Sequence, residues 1–514
     1  MRSLPQENTQ RLSNQLGKTM ATSTEDIIKE IQEIYCSDSM PWVVGYSGGK
    51  DSTASLQLIW NALLQLEPEH RSKPVHVIST DTLVENPVIA AWVAGSLDMM
   101  KIEAEKQGLP IHPHRLTPDL EHRFWVNLIG KGYPAPRNRF RWCTERLKIS
   151  ASTRFIQELS EANNEAILVL GQRRGESATR DKVMDHYSGS TRDRLSRNSD
   201  PKLSRVWVYL PVETWSSDDV WMYIMSEPNP WGVDNQELFS IYRGATPDAE
   251  CPVVVDTSTP SCGDSRFGCY VCTMVSQDKS MSAMIQNDDE KSWMQPILNF
   301  RNKYLSVNDW DVRDFQRMNG RVKLMGKENP ELIHGPYLQE YRATLLEQLL
   351  ITQKTVREAK VPGHDQIELI SIDELDAIRR IWVEEKGELE DLVPKIYERV
   401  YEQPYPGKPM ETPLLEEEDL ELLKGVASEL DPEAADRLYR LTRNLLAAQF
   451  QSLQTQKRSK HLDRLEEVLK ANAFRTEEEA LAFAKSTELD QDENEPADGE
   501  VELIPVVAVE TEEA

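Results

Sequence analysis

Two hydrophobic periods alternate along the chain from about residue 22. Ile27, Ile28, Ile31, Ile34 and Tyr35 recur at helical spacing behind a Ser/Thr cap region, which predicts a first amphipathic helix. PWVVGY (41–46) is a short apolar run ending in glycines, and a helical stretch follows from Asp51 to Leu66. VHVIS (75–79), IHPHRL (111–116) and AILVL (166–170) are three more short apolar runs, separated by helical patterns that include 86–107. This alternation predicts an α/β fold with a mainly parallel, two-sided sheet and flanking helices. Ligands of such sheets sit at the carboxyl ends of the strands.

Beyond residue 170 the pattern changes. Residues 171–205 are polar, arginine-rich and follow neither period, so they read as a functional or mobile loop. VWVYLPV then reads as a strand and SSDDVWMYIMSE as a capped helix, with Asp218 and Asp219 as cap residues and Trp221 as core. Residues 244–279 are rich in Gly, Pro, Ser, Asp and Cys, with little periodicity to fold them unaided. Later stretches read as helices at 339–360, 371–386, 415–430 and 432–470. The organisation expected is a flexible N-terminus (1–21), an α/β nucleotide domain (22–243), a Cys-rich segment with adjoining helices (244–335), a helical domain (336–485) and an acidic disordered tail (486–514).

Charge sharpens this division. The 514 residues carry 59 Lys+Arg and 86 Asp+Glu, a formal charge of -27 that argues against a basic nucleic-acid coat protein. Residues 1–350 hold 39 basic and 46 acidic side chains, whereas 351–514 hold 20 and 40, so most of the acidity lies in the C-terminal third. Residues 131–205 hold 16 basic and 9 acidic side chains, enough to serve phosphates locally or to be used in internal pairs. A polar N-terminus and the shortness of PVIAAWVAGSL predict a cytoplasmic protein with no membrane contact.

The sharpest motif is Ser47-Gly48-Gly49-Lys50-Asp51-Ser52, between a strand and a helix. Paired glycines let backbone N–H groups approach phosphate oxygens, and the helix N-terminus adds partial positive charge. Lys50 can neutralise phosphate, Ser47 and Ser52 can donate to it, and Asp51 suits either a helix cap or a Mg²⁺ ligand. GxxxxGK spacing is absent, so this is not a Walker A loop. Arg173, Arg174 and Arg180 follow a strand and can reach the same crevice to bind polyphosphate, with Glu176 orienting an arginine or sharing Mg²⁺. The competing reading is a solvated basic loop.

Cys251, Cys262, Cys269 and Cys272 supply four thiolates within 22 residues. Four sulfurs suit a tetrahedral Zn²⁺ or a [4Fe-4S] cluster, and one Cys-x2-Cys pair where zinc ribbons show two favours iron-sulfur. Cys143 lies between Arg139, Arg141 and Arg146 with Lys148 close by, a setting that lowers a thiol pKa and favours the thiolate that handles sulfur. The plainer alternative is a buried cysteine beside Trp142. Cys36, at the end of the first helix, reads as a packing residue.

SGGKDS resembles the PP-loop of N-type ATP pyrophosphatases, which cleave ATP between the α- and β-phosphates and adenylate a substrate. Within that group, Asp81-Thr82, RNRFRWCTERLK (137–148), GQRRGESATR (171–180) and LPVETWSSDDVWMYI (210–224) resemble elements of the phosphoadenosine phosphosulfate reductase-like branch, and Asp81 then stands where relatives contact the nucleotide. With RFGCYVCTMV and the four-cysteine spacing, residues 20–350 resemble the DndC family of DNA phosphorothioation sulfurtransferases. That resemblance implies ATP pyrophosphatase activity, ATP and Mg²⁺, a [4Fe-4S] cluster, and replacement of a non-bridging DNA oxygen by sulfur. It also implies a cysteine desulfurase (DndA or a homologue) and the modification proteins DndD and DndE as partners. A phosphoadenosine phosphosulfate reductase proper would use a cysteine near its C-terminus, and none follows Cys272. A PP-loop tRNA thiolation enzyme and a non-catalytic assembly subunit are the other readings.

Overall fold

The computed structural model describes residues 23–137, 140–174, 191–192, 194–246, 267–318, 320–325, 330–361, 366–410, 417–427, 432–453, 462–463, 465–466, 468–469, 474 and 476–491. Its centre is a seven-stranded sheet. Strands β1 (Trp42–Gly45), β2 (Val75–Thr80), β3 (Ile111–Leu116), β4 (Ala166–Val169), β5 (Thr191–Arg192), β6 (Leu195–Arg197) and β7 (Val206–Tyr209) lie in the order β3-β2-β1-β4-β7-β6-β5. β3, β2, β1, β4 and β7 are mutually parallel, and β6 and β5 complete one edge antiparallel. The fold is therefore α/β with a mainly parallel sheet and flanking helices.

Both faces of the sheet are buried, which is why its central strands read as continuous apolar runs. Trp42, Val44, Val75, Val77, Ile167 and Val169 enter the main core, whereas Val43, Ile78, Leu168 and Val206 face the other way and pack with Ile156. Helix α1 (Thr24–Cys36) starts at Ser23, whose hydroxyl accepts the Asp26 N–H, and presents the five predicted apolar residues inward. α2 (Lys50–Leu64) follows β1, α3 (Pro87–Lys106) follows β2, and α4 (Ser150–Ala162) carries Ile156. α5 (Ser217–Ser226) begins with a capping box in which Ser216 and Asp219 exchange hydrogen bonds, and Trp221 is buried, as the pattern predicts.

The chain continues through α6 (Asn235–Gly244), α7 (Lys279–Asn287), α8 (Gln295–Phe300), α9 (Gln339–Glu358), α10 (Ile372–Arg380), α11 (Leu392–Tyr401), α12 (Glu417–Ala427), α13 (Pro432–Leu453) and α14 (Glu477–Gln491). A small antiparallel pair, β8 (Leu324–Met325) and β9 (Glu331–Leu332), interrupts them. The helices after β9 join the α/β core directly. Trp125 Nε1 donates to Leu369 O at 2.7 Å, Trp382 Nε1 donates to Ile129 O at 3.0 Å, and one connected set of buried side chains runs from Ile27 to Val400.

Three expectations need correction. The described part of 171–205 is not a featureless loop: β5 and β6 form there, held by Arg194 paired with Glu30, Arg197 paired with Glu165, and the Arg197 guanidinium 3.9 Å from the Trp207 ring centre. Ion pairs and stacking hold this edge, so apolar periodicity gives no signal for it. Cys36 is exposed, because the inner face at that end of α1 is filled by Ile34 and Tyr35. Helix α14 runs to Gln491, six residues into the expected tail. Residues 1–21 and 492–514 lie outside the described residues. Among the described residues, no helix is long and apolar enough to cross a membrane.

Candidate functional site

β1, β2 and β4 end side by side, and the turns that leave them build the site. The order β2-β1-β4 reverses the direction of winding at β1, which opens a crevice at the carboxyl ends of β1 and β4. The loop Tyr46 to Gly49 leaves β1 into α2. Gly48 has φ +74°, and a Cβ there would also collide with the Val93 side chain, so glycine is required twice over. Trp92 Nε1 fixes the turn by donating to Gly48 O at 3.1 Å. Gly49 is the N-cap of α2 and has no side chain to satisfy the helix's first N–H groups, which leaves them for an acceptor from elsewhere.

The two serines shape the loop. Ser52 Oγ donates to Gly49 O at 3.0 Å and accepts the Ser47 N–H at 3.2 Å, and Ser47 Oγ lies 3.1 Å from Ser52 Oγ. Both hydroxyls, expected to serve phosphate, are thus engaged in closing the turn. Asp51 is bracketed by two cations: Lys50 Nζ at 3.0 Å on Oδ2 and Arg173 Nε at 2.6 Å on Oδ1. It is not the cap, and its carboxylate orients the two cations at the crevice. A Mg²⁺ ion would have to compete with them for it. Gly171, at the exit of β4, presses on the same first turn, and a Cβ there would stand 2.6 Å from Asp51 O and 2.8 Å from Ser52 N.

Of the two adjacent arginines, the fold brings one to the loop. Arg173 is buried against Asp51, whereas Arg174 turns away and donates to Glu213 at 2.6 Å. Asp81 follows β2, but Oδ1 accepts the Leu83 N–H at 2.8 Å and Oδ2 accepts from Arg115, so its carboxylate is held locally. Glu176 and Arg180 lie outside the described residues.

Beside the crevice is a thiol pocket. Phe267-Gly268-Cys269-Tyr270 runs along the turn after β2: Asn86 N donates to Gly268 O at 3.3 Å and Tyr270 N to Val84 O at 2.9 Å, with Glu85 bridged to Cys269. Cys272 N donates to Cys269 O at 2.9 Å, so the two thiols stand at the ends of one closed turn. Arg301, fully buried, holds that turn from behind. Nε and Nη2 donate to Cys272 O at 3.0 and 2.8 Å, Nη2 also to Val275 O, and Nη1 to Ser276 O at 2.9 Å. Thr273 Oγ1 donates to Pro136 O at 2.6 Å, which ties the turn to the segment leading to Cys143.

Lys148 is the cation whose charge acts on these thiols. Burial works against its ammonium, but Cys269, Glu85, Cys143 and Cys272 around it outweigh burial and raise its pKa. Burial pushes the Cys269 thiol up to about 12, with Lys148 opposing, and raises the Glu85 carboxyl. Cys143 is also raised, by burial first and then by Cys272. This corrects the expectation of an arginine-lowered thiol. Arg146 instead donates to Asn127 at 2.9 Å and Tyr133 at 3.0 Å, and the nearby cation is Lys148. Arg139 lies outside the described residues.

Cys269 and Cys272 have the spacing and softness of a thiolate pair for iron-sulfur or zinc. Cys251 and Cys262 lie outside the described residues, and among the described residues no group of three His, Cys, Asp or Glu side chains is arranged to hold a metal ion. Among the described residues of 131–205, several basic side chains are taken up in pairs: Lys131 with Glu121, Arg137 with Asp309, Arg154 with Asp119, Arg173 with Asp51 and Arg174 with Glu213. Sequence reading missed Glu85, Arg301, Phe267 and Tyr242 at this site. Glu85, Arg301 and Tyr242 reach it by tertiary contact from segments with no motif of their own, and Phe267 lies in the RFGCYVCTMV stretch, whose cysteines drew the reading instead.

Residues 41–232 match the family model of the phosphoadenosine phosphosulfate reductase domain. An uncharacterized protein of Methanocaldococcus jannaschii is 28% identical over 201 residues, 39% of this chain. The chain spans 35% of that relative's length. Among solved structures, the phosphoadenylyl-sulfate reductase of Candida auris in its phosphate complex is similar at 16% identity and TM-score 0.26, over 46% of this chain and 92% of that one. The U34-tRNA thiolase NcsA of Methanococcus maripaludis, with its [4Fe-4S] cluster, is similar at 13% identity and TM-score 0.24, over 52% and 79%.

Proposed function

We propose that this chain is an ATP-dependent sulfurtransferase of the DndC kind, with ATP pyrophosphatase chemistry acting on the DNA backbone. The observation that carries the reading is the adjacency of two chemistries: a glycine loop with Lys50 and Arg173 at the end of β1, and a thiol pocket around Lys148 on the neighbouring turn. The match of residues 41–232 to the reductase domain family supports an enzyme of the PP-loop type.

In this reading the loop N–H groups and Lys50 bind the ATP phosphates, and Arg173 stabilises the departing pyrophosphate. A non-bridging oxygen of a DNA phosphodiester attacks the α-phosphorus, the bond to the β-phosphate oxygen breaks, and pyrophosphate leaves. The DNA phosphorus now carries AMP as a leaving group. The outer sulfur of a persulfide, passed to Cys143 from a cysteine desulfurase, attacks that phosphorus, and AMP departs with the former non-bridging oxygen. An external thiol then attacks the Cys143 sulfur, the S–S bond breaks with its electron pair going to the phosphorothioate, and a Cys143 mixed disulfide is left for thiol reduction. Cys143, held in the thiol pocket, is the residue we assign to handling the sulfur. Cys269 and Cys272, together with Cys251 and Cys262, would hold a [4Fe-4S] cluster, which supplies a sulfur-binding and redox centre when present.

DndD and DndE homologues are the expected partners on DNA. The deciding experiment is nuclease digestion of cellular DNA followed by mass spectrometry for phosphorothioate dinucleotides, with and without this gene. Their loss on deletion is the expected result. Unchanged phosphorothioate with loss of thiolated tRNA bases would replace DNA by tRNA as the substrate.

A further inference from the structure

One side chain touches both halves of the site. Tyr242, in the last turn of α6, places its hydroxyl oxygen 3.3 Å from Lys50 N, in line to accept that N–H, and its hydroxyl would be 3.2 Å from a Cβ on Gly49. Lys50 Nζ lies 5.9 Å from the centre of the same ring. Because Gly49 contributes no capping side chain, the acceptor for the first N–H of α2 has come from 192 residues away. That N–H is where a phosphate oxygen would be received.

The opposite side of the ring meets the thiol segment. Tyr242 and Phe267 pack edge to face with centres 4.7 Å apart, and Phe267 is two residues before Cys269. Trp221 backs the tyrosine at 5.0 Å. The end of α6 is itself anchored, since Asn287 Nδ2 donates to Gly244 O at 3.0 Å and to Thr246 O at 2.9 Å. The ring thus lies between the glycine loop and Phe267 on an anchored helix end.

We infer that Tyr242 is a positioning residue that senses nucleotide. Its hydroxyl occupies the phosphate seat on Lys50 N–H, and phosphate entry displaces it and shifts Phe267, loosening the strand-like pairing of Gly268 and Tyr270 that fixes Cys269. Nucleotide binding and release of the thiol segment are then one event, so sulfur is exposed when an activated substrate is being made. The inference rests on the ATP reading proposed above.

The test uses the full chain and α,β-methylene-ATP, with affinity from calorimetry and amide exchange by mass spectrometry. In the wild type, bound nucleotide is expected to accelerate exchange in the peptide covering 267–272 by about fivefold or more, as the Tyr270 N–H loses Val84 O. Tyr242→Phe keeps the ring but removes the competing oxygen, and should bind nucleotide about two- to tenfold tighter. Phe267→Leu should bind nucleotide at least as tightly as wild type, since binding no longer loosens the segment, yet lose the exchange response. Equal or weaker binding by Tyr242→Phe, a retained response in Phe267→Leu, or nucleotide bound by the wild type without an exchange change each overturns the inference. If the wild type binds no nucleotide, the ATP reading fails as well, a result distinct from binding without response.

Discussion

Arg173 Nε donates to Asp51 Oδ1 at 2.6 Å, linking the loop after β4 to the first turn of α2 across 122 residues. Asp51 also holds Lys50, so one carboxylate aligns two cations at a strand-end crevice. Arg173→Ala should weaken ATP binding by about tenfold or more, since a charged hydrogen bond contributes roughly 1.5–3 kcal/mol. Arg174→Ala, whose partner is Glu213, should change ATP affinity little. Calorimetric titration of both variants checks the contrast, and equal effects would show that the pairing seen here does not set nucleotide binding.

Gly171→Ala should damage the same site without touching a charge. The added methyl would meet Asp51 O and Ser52 N at 2.6 and 2.8 Å, backbone atoms of the first helical turn that have nowhere to go. Overpacking of this kind costs about 1–3 kcal/mol. The melting temperature should fall and ATP binding should weaken together.

Arg301 should be among the most costly buried residues to replace. Its guanidinium satisfies the carbonyls of Cys272, Val275 and Ser276. Arg301→Met would leave these without their donor, a loss of about 3 kcal/mol or more in urea unfolding. Arg301→Lys should recover a minor part, because a single ammonium cannot span the three oxygens.

A histidine group gives a pH prediction. His76 and His114 lie on β2 and β3 with Nδ1 of the first 3.0 Å from Nε2 of the second, and His112 packs beside them. Burial, then His114 and His112, lower the His76 pKa from 6.5 to about 4. The folded state thus keeps this imidazole neutral where the unfolded chain binds a proton. Stability from this group is present above pH 6.5 and is lost as the pH falls toward 4. His76→Gln should flatten the fall of the urea midpoint between pH 6.5 and 4, and an unchanged slope would remove His76 as a cause.

For the thiols, Cys269→Ser and Cys272→Ser should each lose iron from anaerobically purified protein. Cys143→Ser should abolish phosphorothioation in cells. Iron retained in that variant would fit a sulfur-handling thiol, and iron lost would make Cys143 a ligand instead.

Local chemistry made the glycine loop and the parallel sheet legible in the sequence. SGGKDS between a strand and a helix, and apolar runs of strand length between helical patterns, are signals carried by neighbouring residues. So are the caps at Ser23 and Ser216 and the inward face of α1. The arginines were harder to place. Arg173 and Arg174 are adjacent and chemically identical, and only the register of the chain leaving β4 against α2 and Glu213 separates the one at the loop from the one turned away.

Residue types and spacing therefore determined the fold class, the nucleotide-type loop and the presence of a Cys-x2-Cys turn. Tertiary packing decided the rest. It made Lys148 the cation of the thiol pocket, raised Cys143 where its arginine neighbours suggested the reverse, and set Tyr242 on Lys50 N–H. The physical reason is that burial and charge–charge distance depend on three-dimensional separation. A sequence neighbour such as Arg146 can point elsewhere, while a residue 192 positions away supplies the contact.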